Sequence, residues 1–431
     1  MLSILMFYAS QFGCYVLSLA RTPAFAVVGY ILIYFLYDRT RWWYFNIPEI
    51  SYSFFMSATI LFLAIVHKNK SPSIFKERIT VFLCLLGIYF LLANFWAVSS
   101  EIHEYDASNF IKVLLVIVAS IKLVNTRNDL NIVIWSYIAG SAYIGFYILE
   151  TGRTSYGRVE GIGVVDAPDV NGLAASLVIG TVFCLYYFWV KKGFAKFAAI
   201  IAGALIVNAL VLMNSRGAFL GVFIGAGWFV FHLYRSKVQI KYKKLKVILL
   251  VLTGVSCLAV VLDQSAIERM LSIKEESTLT KDKQTGSTRV FFWLASVEMS
   301  FDYPFGGGAR SFILLSPNYI PEDIDTGGSK NRAVHSTWFQ GLTEVGYPGM
   351  VIFMGLLLAT FFSLRRVVKR AVSENNSDKF LFAIGLEGAF FGYLTAITFL
   401  DRFRGLSLYL LILMVVAFYR IDKQDSERLT N

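Results

Sequence analysis

Thirteen apolar runs, separated by short polar breaks, leave this chain few ways to fold. They lie at about 2–20, 23–37, 52–67, 79–97, 108–124, 131–149, 170–190, 196–213, 217–234, 246–263, 337–363, 379–399 and 404–419. As helices, most are long enough to cross roughly 30 Å of hydrocarbon. The first two are joined only by Arg21-Thr22-Pro23 and read as a shallow hairpin or as one span with an interfacial partner, so the expectation is about 12 crossings. A chain of 431 residues that is 56% hydrophobic and only 16% charged, with a mean hydropathy of +0.60, is too apolar to be soluble. The expected fold class is an all-α polytopic membrane protein. It divides into N-terminal transmembrane helices (1–263), one large polar loop with an amphipathic helix (264–336), C-terminal transmembrane helices (337–420) and a short tail (421–431). No small-residue cleavage site follows the first run before further apolar segments begin, which argues against a cleaved signal peptide.

Charge sets the orientation. Lysines and arginines fill alternate loops: Lys68, Lys70, Lys76 and Arg78; Lys191, Lys192 and Lys196; Arg235 to Lys246; Arg365, Arg366, Lys369 and Arg370. The loops between them, such as Ser99 to Ser108 with Glu101, Glu104 and Asp106, are poor in positive charge. The positive-inside rule places the basic loops and the C-terminus in the cytoplasm and the segment 264–336 outside. The net charge of +11 is thus accounted for by loops, without a basic groove interleaved with aromatics for nucleic acid. Cys14, Cys84, Cys184 and Cys257 all fall within apolar runs and form neither a disulfide framework nor a zinc spacing.

That orientation gathers unusual residues on the outer face, where positive charge is disfavoured. Arg158 follows Tyr156-Gly157; Asn171 stands in Asp169-Val170-Asn171; Arg216 lies in the tight turn Asn214-Ser215-Arg216-Gly217; Asp401, Arg402 and Arg404 share another turn. Within the long polar segment from Asp263 to Ser336, Val290, Trp293, Leu294, Val297 and Phe301 recur at helical spacing. They predict an amphipathic helix with Arg289 in its first turn. Free backbone N–H groups at such a helix start favour an anion, and an arginine fork beside them can hold two phosphate oxygens; alternatively, Arg289 snorkels to lipid head groups. Arg310 follows Gly306-Gly307-Gly308, a run that reads more readily as a turn than as a phosphate cradle.

His335 immediately precedes Ser336-Thr337-Trp338, the start of an apolar helix. The positive end of the helix dipole disfavours an imidazolium there, so His335 is expected to be neutral and able to accept a proton from an attacking hydroxyl. Glu344 lies nine residues on, about 13 Å along a helix, and reads as a structural partner buried in the bundle. Two metal readings are weak. His103 in Glu101-Ile102-His103-Glu104 has acidic neighbours, and Asp323-Ile324-Asp325 has the form of an acidic metal–nucleotide pair. The second sits among Pro321, Gly327 and Gly328 and reads as a polar loop.

Together these residues resemble the bacterial O-antigen ligase and polymerase superfamily. The resemblance rests on Arg289 to Phe312, with Trp293, Pro304 and the glycines, then His335-Ser336 and Leu342-Thr343-Glu344-Val345-Gly346-Tyr347-Pro348-Gly349. The turn Ser215-Arg216-Gly217-Ala218 with Gly221 is similar to a second arginine motif, and Asp169-Val170-Asn171-Gly172-Leu173-Ala174 to a helix-start motif. It covers approximately Arg158 to Leu400. The resemblance implies a glycosyltransferase C-type membrane fold in the bacterial inner membrane, with a large periplasmic loop over the site. It implies an undecaprenyl-diphosphate-linked glycan donor, a hydroxyl acceptor (glycolipid, glycan or protein), and no nucleotide sugar, cofactor or metal. By motif, His335 is the base and Arg216 and Arg289 hold the diphosphate, with Arg158 and Arg310 as further diphosphate contacts. Ligase, polymerase and protein O-glycan transferase are not separated by one chain, and an exosortase-associated ligase subgroup is a further possibility within the resemblance. The competing class, a transporter of lipid-linked glycans, predicts matching inverted repeats, and no internal repeat is found.

Overall fold

The computed structural model describes residues 2–67, 73–153, 158–261, 288–324, 326 and 329–430. Lys68, Lys70, Tyr156, Gly157, Asp325, Gly327, Gly328 and residues 264–287 of the long polar segment lie outside the described residues. The chain is helical, and the only strand-like pairing among the described residues is an isolated bridge between Val164 and Ala167.

In order, the N-terminal half contains α1 (Leu2–Ala20), α2 (Ala24–Leu36), α3 (Tyr52–Val66), α4 (Arg78–Leu92), α5 (Ser100–Leu123) and α6 (Arg127–Thr151). These are followed by α7 (Val170–Val190), α8 (Gly193–Met213), α9 (Arg216–Arg235) and α10 (Lys243–Val261). Then come α11 (Thr288–Asp302), α12 (Ser311–Tyr319), α13 (Thr337–Ser373), α14 (Ser377–Ile397) and α15 (Leu406–Thr430). Every apolar run of the sequence corresponds to a helix. Among the described residues, eight helices are long and apolar enough to cross a bilayer. Of the other apolar helices, α2 and α3 have 13 and 15 residues, short of a full span at 1.5 Å per residue, and α5 and α15 carry charged turns.

Helix α5 corrects the reading of Ser99 to Ser108 as a loop. Ser99 caps it by accepting from Ile102 N, and the helix runs through Glu101, Glu104 and Asp106 because Asp106 is neutralised by arginines from two other segments. Helix α11 also differs in its buried face. Phe292, Ala295 and Met299 pack with Phe312 of α12 and with Ile320, Ile324 and Val334, whereas Leu294 and Phe301 on the face anticipated from periodicity are exposed, at 61% and 72%. This short helix thus carries apolar residues on both sides, one set buried in a satellite core and the other exposed.

Close packing of α9 on α14 sets where the first residues of α9 sit. Gly221 and Gly225 face Gly392 and Gly388 so closely that an added Cβ at Gly221 would sit 2.6 Å from the Gly392 carbonyl oxygen, and one at Gly225 would sit 2.7 Å from that of Gly388. The reciprocal positions are as tight, 2.6 Å from Gly388 to the Gly225 oxygen and 2.7 Å from Gly392 to that of Gly221. Small residues four apart let two helices approach to backbone contact where lipid supplies no hydrophobic drive between them. Gly225→Leu is therefore expected to separate the pair, lowering stability in detergent by about 1–3 kcal/mol in thermal-unfolding measurements. An unchanged melting temperature would contradict the packing.

Candidate active site

The glycine ladder delivers Arg216, the first residue of α9, beside the last turn of α14. A Cβ on Gly217 would lie 3.4 Å from the Ala396 oxygen and 3.8 Å from the Phe399 ring. Phe399 lies 6.4 Å from the ring of Trp293 on α11, and Trp293 stacks on Phe339 of α13 at 5.5 Å. Arg289 stands one turn before Trp293 in the first turn of α11, and His335 stands four residues before Phe339. A patch of three aromatic rings thus ties together the segments carrying Arg216, Arg289 and His335. All three sit at one end of the bundle, where α7, α9 and α13 begin and α14 stops.

His335 is held by the turn between α14 and α15. Ser336 N donates to Asp401 Oδ1 at 3.2 Å, Thr337 Oγ1 donates to the Leu400 oxygen at 2.8 Å, and Arg402 N donates back to Thr337 Oγ1 at 3.1 Å. His335 itself has φ of 54°, a left-handed conformation rare for a residue with a side chain and a marker of a position fixed by its surroundings. Its Nδ1 lies 4.0 Å from Asp401 Oδ2, and its side chain keeps 40% exposure. Burial, followed by the positive charges of Arg289 and Arg332, pushes the imidazole pKa down to about 4. His335 is thus neutral, as anticipated, though by a different cause: desolvation and two guanidiniums, where the sequence suggested a helix dipole. Asp401 is pushed up to about 6 by burial, in part offset by the backbone N–H groups of His335 and Ser336.

Arg310 and Glu344 belong to a neighbouring charge cluster. Arg310 donates to both Asp106 oxygens, at 2.6 and 3.0 Å. Arg404 reaches Asp106 at 2.9 Å and both oxygens of Glu344 at 3.1 Å. Glu344 is only 2% exposed and also accepts from Arg310 N and Gln340 Nε2, each at 3.1 Å. Two carboxylates and two guanidiniums in bidentate geometry satisfy one another. The fork of Arg310 is therefore engaged by Asp106, and Glu344 is held within the same cluster.

The same cluster shows why the glycines are needed. Helix α13 breaks at Gly346 (φ 60°, ψ −166°), just before Pro348, which frees carbonyls that a continuous helix would satisfy. Gly307 N donates to the Thr343 oxygen at 2.8 Å, Gly308 N to the Glu344 oxygen at 3.0 Å, and Tyr347 N to the Pro304 oxygen at 2.9 Å. A Cβ on Gly306, which has φ of 84°, would lie 2.5 Å from the Glu344 oxygen. The run Gly306–Gly308 thus caps a broken helix, and two of its N–H groups are not directed at an anion. Beyond it, Ala309 N donates to His103 Nδ1 at 2.8 Å, while the other ring nitrogen lies 2.9 Å from the Phe90 oxygen. With both nitrogens engaged, His103 is a core bridge and has no lone pair for a metal. Among the described residues no group of three His, Cys, Asp or Glu side chains is placed to hold a metal ion.

A second arm closes the same end. Asp169 caps α7 by accepting from Gly172 N at 2.9 Å and pairs with Arg402 Nη2 at 2.8 Å. Arg402 also donates to the Asp166 carbonyl. A Cβ on Gly172 would overlap the Arg402 guanidinium, so a side chain there would push Arg402 away from Asp169. Asn171 is half-buried in this first turn. Arg158, paired with Glu160 at 3.4 Å, is brought toward the Arg216 turn by the hydrogen bond from Val159 N to the Leu212 oxygen at 3.0 Å. The structure adds Arg332, and it gives Asp401, noted in the sequence as part of an outer turn, a place beside His335. Nothing in the local pattern ties either to His335.

The architecture defines, first, a class: a multi-pass helical membrane protein with arginines and a histidine gathered at one end of its bundle. Residues 201–354 match the family model described as O-antigen ligase, and over that stretch the chain is similar to that family. The matched segment contains Arg216, Arg289, Arg310, His335 and Glu344 and stops before Asp401. No curated protein matches the chain.

Proposed function

We propose that this protein transfers a glycan from a lipid diphosphate, of the undecaprenyl type, to a hydroxyl acceptor at the periplasmic face of the inner membrane, with inversion and without a metal. The observation that carries the reading is a neutral His335, close to Asp401 and near enough to Arg289 to feel its charge. In the step, the acceptor O–H gives its proton to His335 Nε2 as its oxygen attacks the anomeric carbon. The bond from that carbon to the phosphate oxygen breaks, and the departing diphosphate keeps the electron pair, its negative charge stabilised by Arg216 and Arg289.

Donor binding also activates the base in this scheme. Arg289 is one of the two charges that depress His335, and a diphosphate seated on Arg289 neutralises that charge, so the imidazole regains basicity when the donor is present. Arg310 and Glu344 position the broken helix, Arg158 is tethered near the Arg216 turn by the Val159–Leu212 hydrogen bond, and Asn171 stands in the first turn of α7.

The test is transfer by purified protein from lipid-linked glycan to separate glycolipid, glycan and protein acceptors, which also decides between ligase, polymerase and protein transferase. A planar fork is not replaced by an ammonium, so Arg216→Lys and Arg289→Lys are each expected to lower turnover roughly 10²-fold with unchanged thermal stability. Chelator is expected to have no effect. Normal turnover in either lysine variant would return that arginine to the role of lipid anchor.

A further inference from the structure

At the end of the bundle opposite the candidate active site, α4, α13 and α15 meet around a concavity of about 430 Å³. Its rim carries Lys76, Arg78, Arg366 and Lys423 against one carboxylate, Glu77. Glu77 is buried and lies 3.4 Å from Lys423 Nζ, so that lysine already matches its charge. Arg366 reaches only a neutral partner, Tyr419 Oη, at 3.5 Å. Lys76, Arg78 and Arg366 form no ion pair among the described residues, although three cations around one hollow repel one another.

Below the rim the wall turns apolar. Phe82, Leu358 and Phe362 line it, and Leu358 and Phe362 are 49% and 54% exposed. Gly355 shapes the floor, since a Cβ there would sit 2.5 Å from the Phe82 ring, so only glycine lets that ring lie against α13. Here charge sits above an apolar groove between helices, the arrangement that receives a phosphodiester over the first methylenes of its acyl chains. Guanidinium forks suit the phosphate oxygens, and the lysine adds a third donor.

We propose that this groove is a binding site for an anionic phospholipid, its phosphodiester held by Arg78, Arg366 and Lys76 and its proximal chain lying on Phe82, Leu358 and Phe362. The proposal is independent of the catalytic reading, because the groove lies at the other end of the bundle.

The test uses the full chain, delipidated and placed in phosphatidylcholine nanodiscs, with phosphatidylglycerol titrated in and retained lipid counted by native mass spectrometry. Phosphatidylglycerol is expected to bind in preference to phosphatidylcholine. Arg78→Gln combined with Arg366→Gln is expected to weaken it at least tenfold. Ala359→Trp, which fills the groove and changes no charge, is expected to weaken it similarly, whereas Lys241→Gln with Lys244→Gln in a basic loop leaves it unchanged. Inorganic phosphate at equal concentration is expected not to compete, because it makes no contact with the floor. Retention of phosphatidylglycerol by both groove variants, equal loss in the loop control, or competition by inorganic phosphate would each overturn the proposal. Transfer activity measured on the same samples separates this outcome from any failure of the catalytic assignment.

Discussion

His335→Ala is expected to lower the turnover of glycan transfer by roughly 10²–10⁴-fold, the loss typical of a missing general base, while donor affinity and thermal stability stay near wild type. Each part follows from position. The side chain is 40% exposed and contributes little packing, and the start of α13 is fixed by the hydrogen bonds of Ser336 and Thr337 to Asp401 and Leu400, which alanine leaves intact. Relief of the left-handed φ of 54° offers no gain, because alanine tolerates that region no better. Donor binding is expected to survive, since the diphosphate is assigned to Arg216 and Arg289. The measurement is a pair of assays on one preparation: equilibrium binding of lipid-linked glycan and single-turnover transfer. Loss of binding, or transfer at the wild-type rate, would remove His335 from the role of base.

The helices were legible from the sequence because apolar length is a local signal; every run longer than about a dozen residues became a helix. What escaped was set by contacts distant in sequence. Asp106 reads as a loop charge until Arg310 and Arg404, 204 residues away in the first case, neutralise it inside a helix. The role of Gly306–Gly308 depends on the break at Gly346, and neither motif discloses the other. Trp293 and the face of α11 were assigned by periodicity, but a helix apolar on both sides has no unique buried face for periodicity to find. Within the candidate site, Arg216, Arg289 and His335 were legible because they are polar residues in unusual settings. Their shared aromatic patch through Phe399 and Phe339, and the bracing of His335 by Asp401, are tertiary facts.

Asp401→Asn is expected to reduce turnover by about 10²–10⁴-fold and to change its pH dependence, which distinguishes an orienting carboxylate from a structural one. For His335 to take a proton at Nε2, its Nδ1 must carry hydrogen, and Asp401 Oδ2 is the acceptor beside it, 4.0 Å away here; such contacts tighten when substrate fills the site. An asparagine can present its amide N–H₂ to Nδ1, which favours the opposite tautomer and puts hydrogen on the nitrogen that should accept, the error that costs a comparable factor in serine-protease triads. The backbone bond from Ser336 N can still be made to the asparagine oxygen, so the start of α13 is expected to fold normally. The pH profile supplies the second readout. Burial raises Asp401 to about 6, so the orienting carboxylate is present above that pH and is lost as pH falls through it, whereas His335, depressed to about 4, is still neutral there. Wild-type kcat/KM is thus expected to decline on the acid side with a midpoint near 6, and the asparagine variant to show a low, flat profile across pH 5 to 7. A variant that is equally slow yet keeps the limb near 6 would assign that limb to another group, and Asp401 would then be a support for the turn alone.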